Sequence, residues 1–197
     1  ITGKPMNDSE SGWQYARDIA SGKITSCETV RLACEMALAD LQHSDDAPDS
    51  EWEFSDDHAN HFLMFTGYIQ HVKGELAGTS FKPEPWQSFL LSQIYGWRRR
   101  TNHKERRFRE VLVEMARKQG KSFICSTIAL YELIFGEEGS EVYSVATKID
   151  QAKIVWESAG RMAKKMDPRL SGKLSQTVSA ITCDERFSTF KPLARDS

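Results

Sequence analysis

The chain has 197 residues, 40% of them hydrophobic and 27% charged, which suits a chain that closes its own core and excludes a disordered one. Its 12 glycines and 6 prolines are too few for a collagen-like or low-complexity protein, and no uninterrupted apolar stretch is long enough to span a bilayer or serve as a secretory core segment. The formal net charge of −2 conceals two opposed blocks, one acidic from Asp45 to Asp57 and one basic from Arg98 to Lys121.

Taken in chain order, Ser11 with Gln14 and Thr25 with Glu28 read as capping boxes that open two helices. The first is predicted from about Trp13 to Ser21, stopping at Gly22, and the second carries Val30, Cys34, Ala37, Leu38 and Leu41 on one stripe. The acidic block, with Pro48 inside it and no lysine or arginine, reads as a solvated linker that Trp52 and Phe54 pin to the body. Ala59, Phe62, Leu63, Ile69 and Val72 mark a third helix. Pro85 opens a fourth, with Trp86, Phe89, Leu90 and Ile94 facing inward. No strand is expected before residue 105.

The pattern then changes. Arg107 to Met115 (RFREVLVEM) reads as a strand, Phe123 to Phe135 as an apolar helix and Glu141 to Ala146 (EVYSVA) as a second strand, together a βαβ unit. A helix from Asp150 to Met166 follows. Two strand candidates, Thr177 to Thr182 and Phe187 to Phe190, flank the polar turn 183–186. The four cysteines, Cys27, Cys34, Cys125 and Cys183, match neither a disulfide framework nor a metal knuckle, so a reducing compartment fits best. His58 and His61 read as solvated helix residues rather than ligands. The basic run Arg98, Arg99, Arg100, Lys104, Arg106 and Arg107 fits two descriptions equally, a footprint for phosphate or nucleic acid and a solvated connection.

Between the predicted strand and its helix stands Glu114-Met115-Ala116-Arg117-Lys118-Gln119-Gly120-Lys121-Ser122, which ends as a Walker A loop does. Glycine lets the backbone close around a phosphate, consecutive amides and the helix N-terminus supply donors, lysine reaches the β and γ oxygens, and the hydroxyl holds Mg²⁺. Met115 occupies the place of the usual first glycine. Arg117 stands where a planar guanidinium could stabilise charge on a transferring phosphoryl; an ion pair with Glu114 or Glu110 is its structural alternative. These residues point to binding of a nucleotide with Mg²⁺, with an ordinary βα turn in which Lys121 and Ser122 start a helix as the alternative.

In combination the motifs resemble the large terminase subunits of tailed bacteriophages. That family carries an Arg-x-x-Gly-Lys-Ser/Thr loop, matched by Arg117 to Ser122, a Pro-Trp-Gln element matched by Pro85-Trp86-Gln87 before Gly96-Trp97, and an Ala-Thr-x-x-x-Gln-Ala element matched by Ala146 to Ala152. The resemblance implies an α/β fold: a helical region over residues 1–80, then an incomplete P-loop (ASCE/RecA-like) three-layer sheet domain over 81–197 that ends before Walker B. It implies that Trp86 and Gln87 meet adenine, that Lys118, Gln119, Gly120, Lys121 and Ser122 hold phosphate, and that Ser122 ligates Mg²⁺. Arg117 would act in cis on the γ-phosphate, with Thr147 and Gln151 coupling nucleotide state to DNA grip.

The implied function is an ATPase that drives double-stranded DNA into procapsids in the host cytoplasm. It would work as a homo-oligomeric ring with a small terminase subunit and a portal protein. The family's Walker B strand and nuclease domain are expected outside these residues, since the single Asp-Glu pair, Asp184-Glu185, reads as a hairpin turn. On this expectation the chain is the N-terminal portion of a longer motor and binds nucleotide better than it hydrolyses it. The alternatives are a non-catalytic nucleotide- or DNA-binding module and an unrelated small P-loop NTPase.

Overall fold

The structure is a computed structural model that describes residues 8–195. It divides into two compact units, and each takes two stretches of chain. One comprises the chain up to Gly67 with Lys82–Val113; the other comprises Tyr68–Phe81 with the chain from Glu114 onward. The boundary read from the sequence is a single cut at residue 80, whereas the folded chain leaves the helical unit at Gly67 and returns to it at Lys82.

The first unit begins with α1 (Ser9–Ala20) and α2 (Glu28–Asp46). Neither starts at the expected capping box. Asp8 is the N-cap of α1 and accepts from the Ser11 N–H at 3.2 Å, because a carboxylate suits the positive helix end better than a hydroxyl one turn later. Gln14 is thereby left to bond Asp18 at 2.8 Å. Cys27 precedes α2 without a side-chain cap. The stripe of α2 buries Cys34 and Ala37 against Trp13, Ala16, Ile19 and Trp97, with Leu38 and Leu41 packed on that cluster and Val30 left exposed.

Helix α3 (Asp56–Thr66) is capped by Ser55 and stops at Gly67, so Ile69 and Val72 lie beyond it rather than extending its stripe. Helix α4 (Pro85–Gly96) follows. Its fully buried face is Ser88, Leu91, Ser92 and Tyr95, and the expected inward set, Trp86, Phe89, Leu90 and Ile94, is only half-buried. Tyr95 stacks on Phe62 of α3, their centroids 4.1 Å apart and 14° from parallel.

Strands are present before residue 105, against the expectation. β1 (Trp52–Phe54), β2 (Trp97–Arg99) and β3 (Asn102–Arg106) form an antiparallel sheet in that order. The register sets Trp52 opposite Arg99 and Phe54 opposite Trp97. Two blocks that each repel themselves in isolation attract one another across this sheet, so the acidic stretch is structure rather than free linker. Gly96 shows how tightly they close: a Cβ there would lie 2.3 Å from the Phe54 ring.

The second unit holds α5 (Lys121–Phe135), β4 (Glu141–Ala146), α6 (Ile149–Ala163), the short α7 (Pro168–Ser171), β5 (Ser175–Gln176), β6 (Ile181–Cys183) and β7 (Ser188–Ala194). The strand order is β4-β7-β6-β5, with β4 and β7 parallel. Both helices cover one face of this sheet. Ser144 Oγ donates to Ala152 O of α6 at 2.8 Å, and Ser188 Oγ donates to Leu133 O of α5 at 2.6 Å. On the opposite face Tyr143, Val145 and Leu193 are exposed. Among the described residues of this unit the helices cover one face of the sheet rather than the two that three layers require. The mixed α/β architecture, helices first and then a sheet domain, follows the sequence reading.

One element does not. Residues 107–115 form no strand: Arg107 and Phe108 are consumed closing the first unit's core, and Val111 and Leu112 are exposed in unpaired backbone. β-branched composition favours a pleated, partnered position, and among the described residues no strand supplies the partner. The parallel crossover therefore runs from β4 through α6 to β7.

Candidate functional site: the phosphate loop

The residues before α5 adopt an unusual local geometry. Lys118 and Gly120 have φ of 69° and 82°, in the left-handed region, while Gln119 between them does not. Such alternation turns successive backbone N–H groups toward one side, forming a concavity for an anion. Gly120, the N-cap, is the position where this conformation carries no Cβ penalty, and a side chain there would be strained although the space beside it is open. The first intrahelical bond is Ile124 N–H to Gly120 O at 3.0 Å, so the amides of Lys121, Ser122 and Phe123 have no acceptor within the helix. Their dipoles add to the positive helix end.

Ala116 through Ser122 are exposed, whereas Ile124, Ser126, Thr127, Ala129 and Leu130 are buried. The buried Ser126 hydroxyl is within hydrogen-bond distance of Ser122 O (2.7 Å) and Val155 O of α6 (2.9 Å), which ties the first turn to the neighbouring helix. The site thus has a fixed floor and an open mouth. Arg117 forms no ion pair with Glu114 among the described residues, and it remains beside the loop as an exposed cation. Lys121 and Ser122 stand at the start of α5 in the order that phosphate and Mg²⁺ contacts require. The donor set is cationic and amide-rich with one hydroxyl, which fits a magnesium-bound polyphosphate.

Thr147 and Gln151 are brought together: the Thr147 hydroxyl donates to Gln151 Oε1 at 3.4 Å across the junction from β4 to α6. Trp86 and Gln87 occupy the first turn of α4, in the other unit. There the Gln87 side-chain oxygen accepts from the Glu84 N–H at 2.9 Å, forming a capping box the sequence reading had not assigned.

The basic strands are engaged from within. Arg99 pairs with Glu51 and with Glu105 at 2.6 Å, Arg100 with Glu53 at 2.7 Å, and Arg107 with Asp40 at 2.9 Å. Arg98 is buried and donates to Tyr95 O and His103 O. The mutual hydrogen bond of Arg99 and Glu105 holds the carboxyl below its ordinary range and the guanidinium above its own. The signal for this pairing was in the sequence, as opposite charge in blocks of which one carries a Trp-x-Phe alternation. Asp184 and Glu185 lie in a 3₁₀ turn (Asp184–Arg186), with Glu185 paired to Lys173, and they do not end an apolar strand.

Residues 85–197 match the family described as terminase large subunit, ATPase domain. Among solved structures, the large terminase of bacteriophage HK97 is similar, with a TM-score of 0.59 and 19% sequence identity over 71% of this chain. The chain spans 28% of that protein's length, and at this identity the likeness is one of fold. Among curated proteins none matches.

Proposed function

We propose, for a chain that belongs to the family of terminase large-subunit ATPase domains, that residues 117–122 form the seat of MgATP in a DNA-packaging motor. The alternation of φ at Lys118 and Gly120, leading into a helix whose first amides lack acceptors, carries this reading. When bound, MgATP supplies a terminal phosphoryl group that is transferred to water.

The chain's own residues do the rest. The amides from Lys118 to Ser122 receive phosphate oxygens, Lys121 neutralises the β and γ positions, and the Ser122 hydroxyl is a ligand for Mg²⁺. Arg117, always charged and planar, stabilises charge on the terminal phosphate. Trp86 and Gln87 recognise the base, and the bonded pair Thr147 and Gln151 passes the state of the nucleotide to α6. In the complete motor the subunits act as a ring on double-stranded DNA, with a small terminase subunit and a portal protein at a procapsid in the host cytoplasm. No helix among the described residues is long and apolar enough to cross a membrane.

The test is a calorimetric titration of MgATP. Charge-assisted hydrogen bonds contribute about 1.5–3 kcal/mol each, so Lys121→Ala is expected to weaken binding at least tenfold. Equal affinity in the two proteins would reject the loop as the phosphate site.

A further inference from the structure

Between α3 and α4 the segment Tyr68–Phe81 folds back on itself and belongs to the second unit. An antiparallel bridge joins Gln70 to Ser80; His71 N–H bonds Thr79 O at 2.9 Å and Phe81 N–H bonds Ile69 O at 2.7 Å. Ile69 and Phe81 are buried, so the hairpin is anchored rather than draped over the surface. Its aromatic side meets the first turn of α5. The His71 ring lies parallel on Phe123, with centroids 4.5 Å apart and 9° between planes, and Phe81 meets the same phenyl edge-on at 4.9 Å and 86°.

Phe123 directly follows Lys121 and Ser122, so the three-ring cluster grips the residue whose backbone continues the phosphate loop. Burial lowers the His71 pKa from its ordinary value of 6.5, which keeps the imidazole neutral at physiological pH, the form that stacks flat on a phenyl. The interaction has no part in the roles assigned to the loop residues themselves. It comes from a stretch about 50 positions earlier in the chain.

We propose that His71 is a positioning residue of the nucleotide site: by clamping Phe123 it fixes the first turn of α5, and with it the direction of the Lys121 and Ser122 amides toward phosphate. His71 itself touches no nucleotide. The inference rests on the reading of residues 117–122 as the phosphate seat, and the experiment separates the two.

MgATP affinity and melting temperature are measured for the 197-residue chain and for Lys121→Ala, His71→Ala, His71→Phe and Met166→Ala. Met166, buried in the same unit just beyond α6, serves as the control for general destabilisation. An aromatic pair is worth about 0.5–1.5 kcal/mol, so His71→Ala is expected to bind MgATP about three- to tenfold more weakly. His71→Phe, which keeps the flat ring, is expected within about twofold of the unaltered chain. Met166→Ala is expected to lower the melting temperature and leave affinity unchanged. The inference is overturned if His71→Ala binds as the unaltered chain does, if His71→Phe is as weak as His71→Ala, or if Met166→Ala weakens binding equally. If Lys121→Ala binds normally, or the unaltered chain binds no MgATP, the phosphate-seat reading itself fails and the positioning role with it.

Discussion

The β2–β3 region of the first unit and the loop before α5 in the second hold their cations in opposite ways. In the first, Arg98, Arg99, Arg100 and Arg107 all face acceptors supplied by the same unit, from Glu51, Glu53, Asp40 and backbone carbonyls. In the second, Arg117, Lys118 and Lys121 sit on exposed backbone whose amides lack helical acceptors. A count of positive charge ranks the first region above the second as an anion site. The arrangement ranks them the other way, because a guanidinium already matched to a carboxylate has little left to offer a phosphate.

The largest expected effect lies in the first unit. Trp97 is 1% exposed, stacks edge-on with Phe54 at 5.7 Å and carries Arg107 over its ring. Trp97→Ala is expected to cost about 3–5 kcal/mol, read as a fall in the midpoint of chemical denaturation. A midpoint shift close to zero would mean that the charged sheet is not seated on that core. Next comes Lys121→Ala, whose tenfold or greater loss of MgATP affinity should leave the melting temperature where it was, since the side chain is exposed and supports no packing. A coincident loss of stability would blur the contrast between the units.

Smaller still is the effect of Arg99→Ala with Arg100→Ala. If the basic strands contacted duplex DNA, the double variant would flatten the salt dependence of binding by roughly one unit of slope per lost phosphate contact. The internal pairing predicts an unchanged slope. The smallest effect is on acid stability. Asp18 of α1 accepts from Gln14 at 2.8 Å and from Lys23 at 3.0 Å, which holds its pKa below the ordinary 3.8. A depressed pKa contributes stability that is present above the unfolded value and lost as pH falls through the folded one. Asp18→Asn should therefore lower the melting temperature slightly at neutral pH and make no difference at strongly acidic pH. A constant difference across the range would assign Asp18 no part in that titration.

Much of the second unit was legible from residue pattern alone. The helix read as Phe123 to Phe135 is α5, EVYSVA is β4 to the residue, and the polar turn before Phe187 separates β6 from β7. These are local signals. What failed depends on partners. RFREVLVEM has strand composition but no strand beside it, and the acidic stretch has linker composition but pairs with residues about 45 positions later. The first capping box failed for a similar reason, because Asp8 outcompetes Ser11 from outside the window that defined the motif. At the site, the order of Gly120, Lys121 and Ser122 was readable. The left-handed turn at Lys118 was not, since only the fold shows which non-glycine residue takes positive φ. The oxygen of Gln87 was likewise committed to its own helix cap in a way that spacing did not reveal.

Amide hydrogen exchange of the chain with and without MgATP tests the central claim most directly. Phosphate seated on the loop should protect the amides of Lys118 to Ser122, and at a nucleotide concentration that just saturates the unaltered chain this protection should fall in Lys121→Ala in proportion to its lost affinity, while the β2–β3 hairpin exchanges identically in all samples. Protection confined to residues 97–106, or none at the loop under saturating nucleotide, would contradict it.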